Sequence, residues 1–517
     1  MYFKDIPLAH ITAPQHWRMD RLREEKEIRK LPLMNTPLPS QAPGLRTAAH
    51  ALGLLLMAAT AVFGADTPAK KITRGTYYQN PLSFGTTRDT DPPKFARNAS
   101  ELGIDSLLNT KWLDVGVDYR FRYEYRDNDI RRVNASLDQP LLHRTRAYIG
   151  IRDILDPFRF AFEMQDSRRE NSQYARDNRD VNEFAITRLY GELYFKNLLG
   201  RDAIGNSRPF SVRYGIHNFE FLDRRLLANN EWRNTANTFK GFVVSLGQES
   251  NDWQVDLLAV QALNRQKYDW DSPVPKQWVY GVIGHWRTWS DIVTLEPYYL
   301  AMNQSPLPGI AVYQVHSPGL RAYGVVGSTG LDYDFSFTYQ TGRNGARTIQ
   351  AYASTLEVGY TWASQPWKPR FSLFYGYASG DHNPNDNKDN RFQRFYGFAR
   401  SWSANDYIAY QNISTPTVRL ELKPRHNLRL DMNWSAYWLD SATDVYSVGN
   451  VIQVQDKSGA SGNFLGNEYD IRARYSWDAK TEITVGYSYF QSGGFVKSQL
   501  HRDHTNFAYF QLSRRFF

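Results

Sequence analysis

From Trp112 to the C-terminus, apolar and polar residues alternate one by one. That period of two belongs to β-strands with opposite faces, and no amphipathic helix reproduces it. The segment 112–126, WLDVGVDYRFRYEYR, puts Leu113, Val115, Val117, Tyr119, Phe121, Tyr123 and Tyr125 on one face. Its other face carries Asp114, Gly116, Asp118, Arg120, Arg122, Glu124 and Arg126. Eighteen such segments are read between 112 and 517, among them 141–153, 184–197, 209–219, 318–327, 411–423, 426–440, 467–477 and a last one at 505–517. Their connections alternate in length. Those at 154–156, 249–251, 289–291, 328–329, 364–368, 424–425 and 479–480 are short, with 198–208 the longest of that set. Those at 220–236, 381–410 and 441–466 are long and rich in Asn, Asp, Gly and Arg. A soluble sandwich has no reason for one-sided alternation, whereas membrane barrels have short periplasmic turns and long external loops. The expected fold is all-β: a transmembrane antiparallel β-barrel of about 18 strands, apolar face to lipid and charged face to the lumen.

Composition supports this reading. Aromatics are 15% of the 517 residues, with 33 Tyr, 29 Phe and 14 Trp, yet mean hydropathy is −0.57. Helical spans need roughly 18 consecutive apolar residues, and only the run 48–65 approaches that. It follows Arg46 and ends in small residues, the order of a cleavable signal peptide. The expected parse is an upstream-start extension at 1–33, a signal peptide at 34–65, a periplasmic N-terminal segment at 66–111 and the barrel at 112–517. An even strand count returns the C-terminus to the periplasm, where the closing strand NFAYFQLSRRFF places Phe516 in register as an assembly signal. Trp112, Trp253, Trp278, Trp286, Trp289, Trp434 and Trp438 fit the interfacial girdles of such a barrel. The absence of cysteine excludes disulfides and thiolate metal sites.

The polar faces are weighted toward arginine. Arg120, Arg122, Arg144, Arg146, Arg188, Arg213, Arg419, Arg472 and Arg474 alternate into the lumen, with Glu192 and other carboxylates between them. Cross-strand pairs of opposite charge would stiffen the wall. The same guanidinium groups, permanently charged and forked, would also select an anionic solute. The pairs Arg144/Arg146 and Arg472/Arg474, with Arg120, Arg188 and Arg213, are the candidates for such a ring. No Ser/His/acid spacing supports catalysis, and His143, His217 and His285 fall on strands. His501, Asp503 and His504 lack a fourth metal ligand, and 381–389 lacks the Gly and Glu of a calcium loop. No cofactor, metal or catalytic residue is expected, and an export signal excludes nucleic acid as the partner.

Several blocks resemble the alginate export family of outer-membrane barrels: WLDVGVDYRFRYEY, VRYGIHNFEFLDRRLLANNEWRNTANTFKG, YASGDHNPNDNKDNRF, VRLELKPRHNLRLDMNWSAYWL and EYDIRARYSWDAKTEITVGYSYFQSGGF. The resemblance spans roughly residues 100–517. It implies an eighteen-stranded barrel with an electropositive, arginine-lined pore in a Gram-negative outer membrane. The expected function is a channel for an anionic saccharide, exporting an alginate-like polysaccharide. The rival is an uptake porin for small anions or acidic oligosaccharides, and a barrel-embedded enzyme ranks a distant third. Expected partners are the anionic polysaccharide or oligosaccharide, outer-membrane lipid and lipopolysaccharide, the barrel assembly machinery and periplasmic secretion components. A monomer is expected rather than a trimer.

Overall fold

The alternating segments form eighteen long antiparallel strands, each hydrogen-bonded to the next in sequence. They are β1 Leu113–Asp127, β2 Leu141–Ile151, β3 Phe158–Glu170, β4 Asn182–Phe195, β5 Phe210–His217, β6 Phe239–Leu246, β7 Trp253–Asn264, β8 Gln277–Trp286 and β9 Thr294–Gln304. They continue as β10 Tyr313–Val325, β11 Leu331–Asn344, β12 Arg347–Thr361, β13 Arg370–Ala378, β14 Ile413–Arg425, β15 Leu428–Trp438, β16 Phe464–Ser476, β17 Thr481–Ser492 and β18 His504–Arg515. Pairing of β18 with β1, from Asp118↔Arg515 to Asp127↔Asn506, closes the ring of eighteen strands and leaves none of them at an edge. The computed structural model describes residues 89–516 apart from 133–135, 398–402, 404–405 and 449–451. The chain divides into two units, Met1–Thr67 and Pro68–Phe517, and all described residues belong to the second. The expected extension, signal peptide and residues 66–88, with Phe517, lie outside the described residues.

Burial follows the alternation. In β1 every second residue, Asp114 to Arg126, is buried, and the apolar residues between them are only partly covered. Ile149, Phe162, Leu257, Val282, Leu373, Ile471 and Val485 are exposed on the outer surface, where lipid replaces water. Among the described residues no helix is long and apolar enough to cross a membrane, so strands make the crossing. Trp286, Trp289, Trp362, Trp367 and Trp477 are exposed near the short-turn end and form an interfacial belt. Of the other tryptophans singled out from sequence, Trp434 is exposed, whereas Trp112, Trp253, Trp278 and Trp438 are half-buried.

Three local departures have physical causes. Strand β10 begins at Tyr313 and not at 318, because Pro318 still pairs with Tyr299 while the ladder to β11 skips Ser317 and Pro318. The turn expected at 424–425 falls at 426–427, because Pro424, which has no N–H for the ladder, sits in a register shift between Leu422 and Arg425. One external connection is only the two residues 345–346, between the paired Asn344 and Arg347. Gly345 there adopts φ 60°, as a tight hairpin requires.

The lumen is filled unevenly. Loops 218–238 and 379–412 turn inward and touch, with Leu227 bridged to Tyr396 and the Ala228 amide donating to the Tyr396 carbonyl at 3.0 Å. Their Leu226, Leu227, Phe392 and Phe395 share one apolar core with the inward-facing Val260, Ile283, Leu300, Val315 and Ile349. The helix α1, Gly494–Leu500, adds Phe495 and Val496. On this side the inner face is therefore apolar near the loops, and charge is concentrated elsewhere.

Candidate functional site

Alternation on β1, β2 and β16 brings five of the expected arginines into one cavity of about 380 Å³: Arg120, Arg144, Arg146, Arg472 and Arg474. Register explains the convergence. Arg120 lies opposite Arg144 and Asp118 opposite Arg146 across β1–β2, while Arg429 lies opposite Arg474 and Asp431 opposite Arg472 across β15–β16. The cavity reaches the turn 477–480 at the short-turn, periplasmic end. Among the described residues its lining has nine cationic side chains, the others being Lys94, Arg429, Lys480 and Arg515, against five carboxylates, Asp89, Asp118, Glu231, Asp478 and Glu482. The cationic excess makes it a focusing field for anions.

Loop 218–238 orients these arginines. Arg120 donates to the Glu231 and Arg233 carbonyls at 2.9 and 2.7 Å. Arg144 reaches the Glu231 carboxylate at 2.5 Å and Arg146 reaches it at 3.3 Å. Arg146 also forks onto Asp118 at 2.7 and 2.9 Å, the bidentate geometry that holds a guanidinium plane. Burial opposes ionisation of Glu231, but Arg144, Arg146 and Arg120 outweigh it and hold its carboxyl well below the usual carboxylate range. Beyond the two intervening strands β17 and β18, Arg472 and Arg474 both bond Asp431, at 3.0 and 3.2 Å.

The remaining expected residues lie apart from this cavity. Arg122 is buried with its guanidinium 3.8 Å over the Trp232 ring and bonds Gln511 and Glu124. Arg419 stands 3.8 Å from Glu357. Arg188, Glu192 and Arg213 form a second group. Residues 89–96, part of the segment expected in the periplasm, lie against inward-facing side chains of β2, β4 and β5. Arg188 bonds Asp89 at 2.7 Å and pairs with Glu163. Asp91 receives Arg213 at 2.9 Å and the Tyr190 hydroxyl at 2.7 Å. Glu192 is 3.9 Å from Arg213.

Sequence reading missed Arg321, buried between Glu296 at 2.8 Å and Asp334 at 2.5 Å. It belongs to a paired wall that continues through Arg370 with Asp332 and Glu357. His285 lies in the same wall between Asp256 and Glu296, and His217 bonds the Gly241 carbonyl, both as buried inward residues. His143 instead faces outward against Tyr119. Lys94, Glu231 and Arg515 also escaped, because they lie in loops or at a strand end where period-two alternation carries no signal.

A closed barrel with an apolar belt outside and a cationic, water-accessible cavity inside defines an outer-membrane channel of a Gram-negative bacterium. The chain belongs to the alginate export family, whose description "Alginate export" matches residues 111–510. Solved structures share the fold. Pseudomonas aeruginosa OccD3 (OpdP) superposes with a TM-score of 0.51 at 11% identity, over 78% of this chain and 91% of that one. Pseudomonas aeruginosa OccK5 (OpdH) gives 0.50 at 12% identity, over 78% and 98%. The outer membrane protein OprD from the same organism gives 0.49 at 14%, over 78% and 93%. No curated protein sequence matches the chain.

Proposed function

We propose that this channel passes an anionic saccharide without covalent chemistry and serves to export an alginate-like acidic polysaccharide. The observation that carries the proposal is the cavity with nine cationic groups against five carboxylates, opening at the periplasmic end. Guanidinium forks there match carboxylates, and the wall carboxylates keep each contact weak enough for the next to replace it, as conduction requires. Current block in planar bilayers tests this directly. Oligouronates added to the periplasmic face should interrupt the current in a length-dependent way, and neutral oligosaccharides of equal length should not. Equal block by both sets would remove the anionic-saccharide reading. The inward-packed loops favour a second reading, uptake of small anions or acidic oligosaccharides. Block by monouronates as strong as block by longer chains would select it over polymer export.

A further inference from the structure

We propose that Asp89 and Asp91 occupy, from within the same chain, a carboxylate-binding station on the lumen wall formed by Arg188, Tyr190 and Arg213. Acidic sugar units of the cargo take over that station when segment 89–96 is displaced. This rests on the anionic-saccharide reading above and adds a specific binding site and a gate to it.

The station is built. The Arg188 side chain is 1% exposed and is permanently charged. It bonds Asp89 Oδ2 at 2.7 Å and the Thr90 carbonyl at 3.1 Å. Tyr190 and Arg213 converge on the single oxygen Asp91 Oδ2, at 2.7 and 2.9 Å. Among the described residues the Nε donors of Arg188 and Arg213 are buried and find no hydrogen-bond acceptor. The site therefore has donor capacity that the two aspartates do not use. A linear polyuronate likewise presents carboxylates at regular intervals along its length, one on every sugar unit.

The same segment is a partition. Asp89, Lys94 and Phe95 line the arginine cavity, while Asp89 and Asp91 hold Arg188 and Arg213 on the other face. Moving it would join the two arginine groups into one passage. Its anchors are those ion pairs of Asp89 and Asp91, the Asp89 amide donating to Glu220 Oε2 at 2.9 Å, and Phe95 buried against Tyr148, Ala161 and Tyr190. Phe95 lies 4.6 Å from the Arg146 guanidinium, and only Arg97 and Asn98 pair with β1. Its close approach depends on Gly116, where a Cβ would stand 2.8 Å from Ala96 Cα and 2.9 Å from the Phe95 carbonyl.

Two full-length variants test this in planar bilayers, with the folded barrel checked by heat-dependent gel migration. Asp89→Asn/Asp91→Asn removes the occupying charges, and Gly116→Val pushes the segment off without changing charge. Both should raise single-channel conductance about twofold and lower the half-blocking oligouronate concentration about tenfold. Adding Arg188→Gln/Arg213→Gln to the first variant should abolish its gain in block. Variants that conduct and are blocked like the wild type, in a channel still blocked by oligouronates, overturn this inference and leave the proposed function standing. Raised conductance with no oligouronate block in any variant overturns the proposed function and the cargo half of this inference together.

Discussion

Replacing Arg144 and Arg146 with glutamine should reduce the channel's anion-over-cation permeability ratio about tenfold: each cavity charge at roughly 6 Å contributes about 0.7 kcal/mol in water, favouring the anion and disfavouring the cation, and screening at 0.1 M salt about halves both effects. Both residues line the cavity and lie two apart on β2, so a single permeating ion meets both. Water-filled surroundings justify the high dielectric, and a lower one would enlarge the effect. The assay is the reversal potential across a bilayer under a salt gradient centred on 0.1 M. At that ionic strength the Debye length is about 10 Å, and at 1 M it is about 3 Å, so the difference should shrink as salt rises. Replacing both residues with glutamate should shift selectivity further, because it exchanges the charge instead of deleting it. A folded double variant with the wild-type ratio at low salt would refute the assignment of these arginines to the ion path.

Glu231→Gln should loosen loop 218–238 by about 1.5–3 kcal/mol for each charge-assisted bond lost, read as faster hydrogen exchange at 220–236 with barrel unfolding unchanged. The Glu231 carboxyl lies below its unfolded value of about 4.3. Its contribution is therefore complete above that pH and disappears only as pH falls through the lower folded value. Val485 and Thr484 are neighbours on opposite faces of β17: Val485→Arg should destabilise the barrel by about 2–4 kcal/mol in urea unfolding. Thr484→Arg should be tolerated and should raise anion preference about threefold. His382 in loop 379–412 bonds Asp440 at 2.8 Å, and that hydrogen bond raises its pKa. The tether is present below the unfolded histidine value and weakens as pH rises through the folded one. Its half-exposed setting limits the effect to under about 1 kcal/mol. Exchange around 380–382, corrected for intrinsic rate, should accelerate from pH 6 to 8, and His382→Ala should remove that dependence.

The barrel was legible because one side-chain period controls both membrane burial and hydrogen-bond register. Arg144 and Arg146, or Arg472 and Arg474, are placed on one face by counting alone. Counting names the two pairs as candidates for one ring, but their depth along the pore carries no signal in a period of two. What counting missed are long-range fits. Arg188 and Arg213 were expected with that ring but face Asp89 and Asp91. The stretch around those aspartates has no periodicity. Arg120 takes its acceptors from main-chain carbonyls of loop 218–238, whose polar composition reads as an external loop. The apolar inner face at Val260, Ile283 and Ile349 is legible only once the inward loops are known to need a packing surface.

Transport of sized oligouronates into liposomes tests the central claim most directly. Barrel-containing vesicles should take up an oligouronate several times faster than a neutral oligosaccharide of the same length, and Arg144→Gln/Arg146→Gln should remove most of that difference. Equal uptake of the two solutes, or faster uptake of the neutral one, would contradict an arginine-lined path for acidic saccharides.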